Sequence, residues 1–287
     1  MTQPQLAHST DFGRMYSRSL GGLPEVPSIT TVIGQGATDL SGWAGHMAAT
    51  AVVGDERLPS AIGSASKLRA IAREASSAAE RFRDEAAARG DRVHAYAEQY
   101  ALRHLGRPHD VAGHREALQA NGEAGFADRF DEWWDAYDVR PLDPEVTVWN
   151  AEVGYAGTLD LVAEIGGRVC LIDYKTKGTT RDGRVKPLDP KVVMQLAAGA
   201  QAGERLSDAQ SGSWEAWPYP KDVLLLGVAL GETEVVTQRA QDAVLPASWR
   251  RFWALRQVWE ANHALAGLGP ALRPVPPPAE NAAPSQG

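Results

Sequence analysis

The chain has 287 residues, one cysteine and a formal net charge of −7 from 36 acidic and 29 basic side chains. One cysteine excludes an internal disulfide, a multi-cysteine structural zinc site and a four-cysteine iron–sulfur cluster within this chain. No apolar run is long enough for a membrane span, and the acidic balance means that any contact with nucleic acid must be local. MTQPQLAHST has no basic segment followed by an apolar one, so a secretory signal is not expected and a reducing, cytoplasmic setting fits.

Residues 1–27 are polar and punctuated by Gly and Pro, which predicts a flexible terminus. Ser28 to Ile33 is β-branched and predicts a short strand or turn. Asp39 to Val53 predicts a helix with Trp43, Met47 and Ala51 on one face. Ser64 to Arg89, rich in Ala, Arg and Glu, predicts a long helix ended by Gly90, after which Asp91 caps another helix to about Leu105. His104, His109 and His114 fall in what reads as a polar loop region. Phe126 to Tyr137 predicts a helix that packs Phe130, Trp133, Trp134 and Tyr137 inward. A β region runs from about Glu145 to Lys175, with Glu145 and Glu152 read as strand-edge charges.

Asp189-Pro190 opens a helix to about Ala202. Val223 to Ala229 and Thr233 to Gln238 predict a hairpin about Leu230-Gly231. A late helix carries Trp249, Phe252, Trp253 and Trp259, read as core rather than as a base-stacking platform. From Gly267 to Gly287 the chain is Pro/Ala-rich and is expected to be a disordered tail. Helices ahead of a compact sheet, with one helix between its strand pairs, predict an α/β or α+β domain over 28–266, helical over 39–138.

The stretch GTLDLVAEIGGRVCLIDYKTK, Gly157 to Lys177, reads as two apolar strands joined by a Gly166-Gly167 turn. That turn pairs Ile165 with Arg168, Val162 with Leu171 and Asp160 with Asp173, and sets Lys175 opposite Thr158. A three-residue turn would instead put Tyr174 opposite Asp160. In the first register Asp160, Asp173 and Lys175 share one face, with opposed Cβ atoms roughly 4.5–5.5 Å apart. Like charges so opposed are destabilising, and one ammonium cannot neutralise both. A hard divalent cation, magnesium or manganese, can.

GTLD followed about a dozen residues later by DYK resembles the PD-(D/E)XK nuclease superfamily, in particular its RecB-like branch with phage and CRISPR-associated exonucleases. Gly90, His94 and Glu98 match that branch's upstream Gly-x-x-x-His-x-x-x-Glu helix, and Gln195 its downstream helix. PSITTVI and the Trp43 helix also resemble actinobacterial phage members, so the resemblance spans roughly residues 27–203. The chain departs from the pattern at Leu159, where Pro is common, at Asp173, where Glu is common, and at Gly199, where a Tyr often follows Gln195. It lacks the cysteines of the iron–sulfur members.

The resemblance implies a restriction-endonuclease-like core over 90–240, with a small mixed sheet flanked by helices. It implies metal-dependent hydrolysis of DNA, with His94, Asp160, Asp173 and the Tyr174 carbonyl as ligands and Lys175 and Gln195 as further catalytic groups. Glu98 is a water-mediated ligand, an orienting group or a surface charge. Lys177, Arg181, Arg184 and Lys186 form a basic loop past the site that either grips backbone phosphates or is simply solvated. Partners implied are DNA and a recombinase, an annealing protein or a helicase. The competing reading is a non-catalytic DNA-binding or scaffold subunit of the same fold. Retention of His94, Asp160, Asp173 and Lys175 favours the enzyme.

Overall fold

A computed structural model describes residues 4–36 and 38–276. In chain order it gives β1 (Ala7–Thr10), β2 (Gly13–Tyr16), β3 (Val26–Pro27), α1 (Ile29–Gly34), α2 (Ser41–Val53), α3 (Leu58–Ala61), α4 (Ala65–Ala75), α5 (Ala78–His104), α6 (Val111–Ala120) and α7 (Ala124–Ala136). Then follow β4 (Arg140–Asn150), β5 (Tyr155–Ile165), β6 (Arg168–Thr176), α8 (Lys191–Ala200), β7 (Glu204–Asp208), β8 (Ser213–Ala216), β9 (Leu224–Leu230), β10 (Val235–Arg239) and α9 (Leu245–Ala266).

Among the described residues the main sheet has seven strands in the order β10-β9-β6-β5-β4-β7-β8, and only β6 and β9 run parallel. Helices cover both faces. On one, α5, α6 and α7 bury Tyr96, Phe126, Phe130 and Trp133 against Leu161, Ile172 and Tyr174. On the other, α1, α8 and α9 bury Val32, Leu196 and Phe252 against Leu159, Val162 and Leu171. The fold is therefore mixed α/β of the α+β kind, with a helical part ahead of the sheet. No helix among the described residues is long and apolar enough to cross a membrane.

Gly166 and Gly167 both take positive φ, 58° and 76°, as a two-residue hairpin turn requires. The register follows as expected, from Ile165 with Arg168 to Leu161 with Ile172. The ladder stops there, one pair short of Asp160 and Asp173.

Several expectations need correction. Residues 7–27 are not a loose terminus. They form the sheet β1-β2-β3, which buries Leu6 and Tyr16 against Trp149 and Ala156. Ser28 to Ile33 is not extended: the Ser28 hydroxyl accepts from the Thr31 N–H and starts α1. Gly90 does not end a helix. The break falls at Ser76–Ser77, and α5 runs unbroken through Gly90 and Asp91.

The Trp43 helix buries none of its residues. His104 and His114 are helical, on α5 and α6. The polar strands β7 and β8 were not foreseen. Trp133 and Trp134 are core as read, but Trp253 is 50% exposed. The expected tail lies, from residue 277 onward, outside the described residues.

Candidate metal centre

The charged groups gather just past Leu161–Ile172, where the β5–β6 ladder ends. Leu159 packs against α8 whereas Leu161 joins the core on the opposite face, so the alternation of β5 resets at Asp160. On β4, the register between Pro144–Leu161 and Val146–Leu159 sets Glu145 against Asp160. Glu145 has φ 49°, in the left-handed region that non-glycine residues seldom adopt. With the ladders interrupted, a side chain substitutes for backbone: the Tyr174 N–H donates to Asp160 Oδ2 at 2.7 Å.

His94 comes to the same point from α5. It is buried, and its Nδ1 lies 3.5 Å from Asp160 Oδ1 without making a hydrogen bond. His94, Glu145 and Asp160 each present a ligand atom, all within 4.8 Å of one another. Glu145 is the residue that sequence reading set aside as a strand-edge charge. Position gave no clue, since its register depends on the turn between β4 and β5 and on its own unusual backbone.

Asp173 stands apart from this trio. Its oxygens are held by the Lys175 ammonium at 2.8 and 2.7 Å. Tyr174 sends its ring to the other face, edge-on to Trp133 and Phe130, and serves the site with its backbone. Gln195, from α8, lines the same cavity of about 120 Å³ as His94, Glu145, Asp160 and Lys175. The N-terminal sheet and the start of α1 close that cavity with Arg14, Tyr16 and Thr30, which sequence reading missed altogether. The Tyr16 hydroxyl is 3.0 Å from that of Thr158. Glu98 lies in an adjoining cavity with Glu145 and Thr158.

Two glycines bring the flanking helices close. A Cβ on Gly157 would stand 2.6 Å from Ile29 Cδ1, so the Gly of GTLD is where α1 touches β5. A Cβ on Gly199 would stand 2.9 Å from both Leu159 Cδ2 and Leu171 Cδ2. Position 199 thus faces packed sheet and leaves no room for the Tyr of the resembling family.

The charges are strongly coupled. Burial pushes Asp160 up, but His94, Lys175 and the Tyr174 N–H together hold it below the usual carboxylate value. Burial and the nearby Asp160 push Asp173 up to about 6 against the pull of Lys175. Burial, then Asp160 and Glu98, push Glu145 up to about 9. Burial lowers Lys175, but Asp173 and Asp160 outweigh it and leave the ammonium above its ordinary value. Three carboxyl groups thus share one ammonium, and without a further cation Glu145 keeps its proton at neutral pH. A buried imidazole nitrogen without a hydrogen bond, facing two carboxylates, is a donor set that suits magnesium or manganese.

The basic loop is more ordered than a solvated strap. Thr179 bridges to Val185, the Val185 N–H donates to Glu234 Oε1 at 2.8 Å, and the Thr233 hydroxyl donates to the Gly183 carbonyl at 2.8 Å. Arg181, Arg184 and Lys186 are exposed on it, while Lys177 is half-buried and its N–H donates to the Leu230 carbonyl.

No protein-family model and no curated protein matches the chain. Among solved structures, it is similar to a crystal structure of the protein SSO0001, at 12% identity, with 56% of this chain and 74% of that chain covered and a TM-score of 0.24. That likeness is too slight to bear on fold or function.

Proposed function

We propose that the protein is a divalent-metal-dependent nuclease of the PD-(D/E)XK type, with a restriction-endonuclease-like core, that hydrolyses phosphodiester bonds in DNA. The observation that carries this reading is the convergence of His94, Glu145 and Asp160 with Lys175 on one cavity, just past the end of the β5–β6 ladder. His94, Glu145 and Asp160 would hold the ion. A bound magnesium or manganese would supply Lewis acidity and lower the pKa of a coordinated water.

The chain's own groups account for the rest. The Tyr174 N–H fixes the Asp160 carboxylate so that one oxygen is left to face His94. Asp173 orients Lys175, whose ammonium stays charged and lies where it can offset charge building on a phosphate. Gln195 and Arg14 line the same cavity and offer donors to phosphate oxygens. The exposed basic loop would contact the backbone further along the strand without reading bases.

An exonuclease acting in recombination or end processing, in the cytoplasm, is the form of this activity that the resemblance favours. End-labelled single- and double-stranded DNA incubated with magnesium, manganese or EDTA tests the proposal. Cleavage with either metal that is lost in EDTA and in Asp160→Asn supports it. Manganese binding without cleavage of any substrate would move the chain to the scaffold reading.

A further inference from the structure

A second cavity, larger than the one at the metal centre, lies elsewhere in the fold. It has a volume of about 790 Å³ and opens at the far end of β4 and β5, between α9 and the chain leaving β8. That size is in the range of ligand sites rather than packing defects. Its two walls are aromatic: Trp249 and Trp253 from α9, Trp217 and Tyr219 from the segment after β8.

Both walls are braced. Trp249 packs edge-on to Tyr155 and is stacked on Phe252, whose ring centroid is 5.7 Å away, and the Tyr155 hydroxyl donates to the Ala198 carbonyl. Trp217 packs edge-on to Tyr219 at 5.0 Å, and its backbone N–H donates to the Gly203 carbonyl. Trp253, half exposed, extends the α9 wall into solvent. Four aromatic rings, two from α9 and two from the segment after β8, thus line this one slot.

The position of the slot argues for what enters it. Tyr155, behind the Trp249 wall, lies five residues from Asp160 on β5, about 17 Å along the strand. That is about five nucleotides at the ~3.4 Å spacing of a B-form strand. The Tyr219 hydroxyl donates to Asp143 Oδ2, 3.5 Å away, on the same strand as Glu145. The charged residues lining it are Lys221 and two acids, Glu152 and Glu204. Recognition there therefore falls to ring stacking, which every base can provide, rather than to phosphate charge.

We propose that this slot stacks an unpaired base of a single-stranded segment of the nucleic acid held at the metal centre. The proposal rests on the nuclease reading for its ligand, but not for its test.

Binding of a labelled oligothymidylate of about 12 nucleotides to the full chain in EDTA is measured by anisotropy. Trp253→Ala is expected to weaken it by roughly 5- to 150-fold and Trp253→Phe far less. An abasic oligomer of equal length should bind the wild-type chain as weakly as the thymidylate binds Trp253→Ala, and should not respond to that substitution. Trp253 is exposed, so its variants should fold; a circular dichroism melt checks this. Equal binding of thymidylate and abasic oligomer, or no loss in Trp253→Ala, overturns the slot. If metal-dependent cleavage still requires Asp160 in that case, the hydrolytic reading survives alone. If base-dependent binding is found but no metal supports cleavage, the slot stands and hydrolysis falls.

Discussion

Asp160 divides its two oxygens between the Tyr174 N–H, 2.7 Å from Oδ2, and the His94 ring, 3.5 Å from Oδ1. One contact is part of the sheet's hydrogen bonding and the other belongs to the proposed metal site. Asp160→Asn keeps an acceptor for Tyr174 but removes the charge. Manganese affinity by calorimetry should fall by more than about 100-fold, since even groups behind the ligands are worth ~10–100-fold. The metal-free melting temperature at neutral pH should fall modestly, because the fold holds this carboxylate below its usual value and the amide forgoes that charge. A drop in stability without a loss of affinity would make Asp160 a purely structural residue.

Lys175 and Asp173 form an ion pair in which the Lys side chain is 33% exposed and the Asp side chain 6%. Removing only the cation leaves a buried carboxylate alone. Lys175→Ala should therefore destabilise the fold by toward the low end of ~3–5 kcal/mol, because the exposed lysine is partly screened. Adding Asp173→Asn should recover much of that loss, while cleavage stays absent in both. A double-mutant cycle on thermal melts reads the coupling.

The metal-free protein should become less stable as pH rises. Glu145 has its folded value pushed up to about 9, above its unfolded value of 4.5. A group raised in the fold contributes stability that is complete below the unfolded value and is lost as pH climbs through the folded one. The loss should thus run from about pH 4.5 to 9, with Asp173 adding to its lower part, up to about 6. Glu145→Gln should flatten the profile, and saturating manganese should reverse its upper limb. Melting temperatures in EDTA across this range give the answer.

At Gly157 the limit is steric. A methyl group there would meet Ile29, so Gly157→Ala should push α1 off β5 and destabilise by about 1–3 kcal/mol. Pairing it with Ile29→Val should restore part of the loss if the contact is the cause. Denaturant melts of the two single variants and the double variant decide it.

On the basic loop, Arg181→Ala and Lys186→Ala should leave the melting temperature unchanged, as both are exposed. Each should lower the slope of log affinity for DNA against log salt by about 1 if it touches a phosphate. An unchanged slope in both would remove the loop from the DNA path.

The hairpin that carries Asp160, Asp173 and Lys175 was legible because two adjacent glycines fix its register outright. The position of Gln195 followed from the Asp189-Pro190 start of its helix. Glu145 was not legible. Its left-handed backbone is not encoded by a glutamate, and the turn from Asn150 to Tyr155 offers no dipeptide that sets a register. Gly90 misled because it reads as a helix terminator, whereas here it sits inside α5 against Thr176. One interior glycine costs a helix only about 1 kcal/mol. The short strands β1, β2, β7 and β8 are polar at most positions, so no alternating pattern announced them.

The sheet made by residues 7–27 supplies Arg14 and Tyr16 to the cavity around the carboxylates. Trimming the chain to begin at Ser28 would open that chamber on one side while leaving Glu145, Asp160 and Asp173 in place. Inactivity in such a fragment would report a breached enclosure rather than an inert set of ligands.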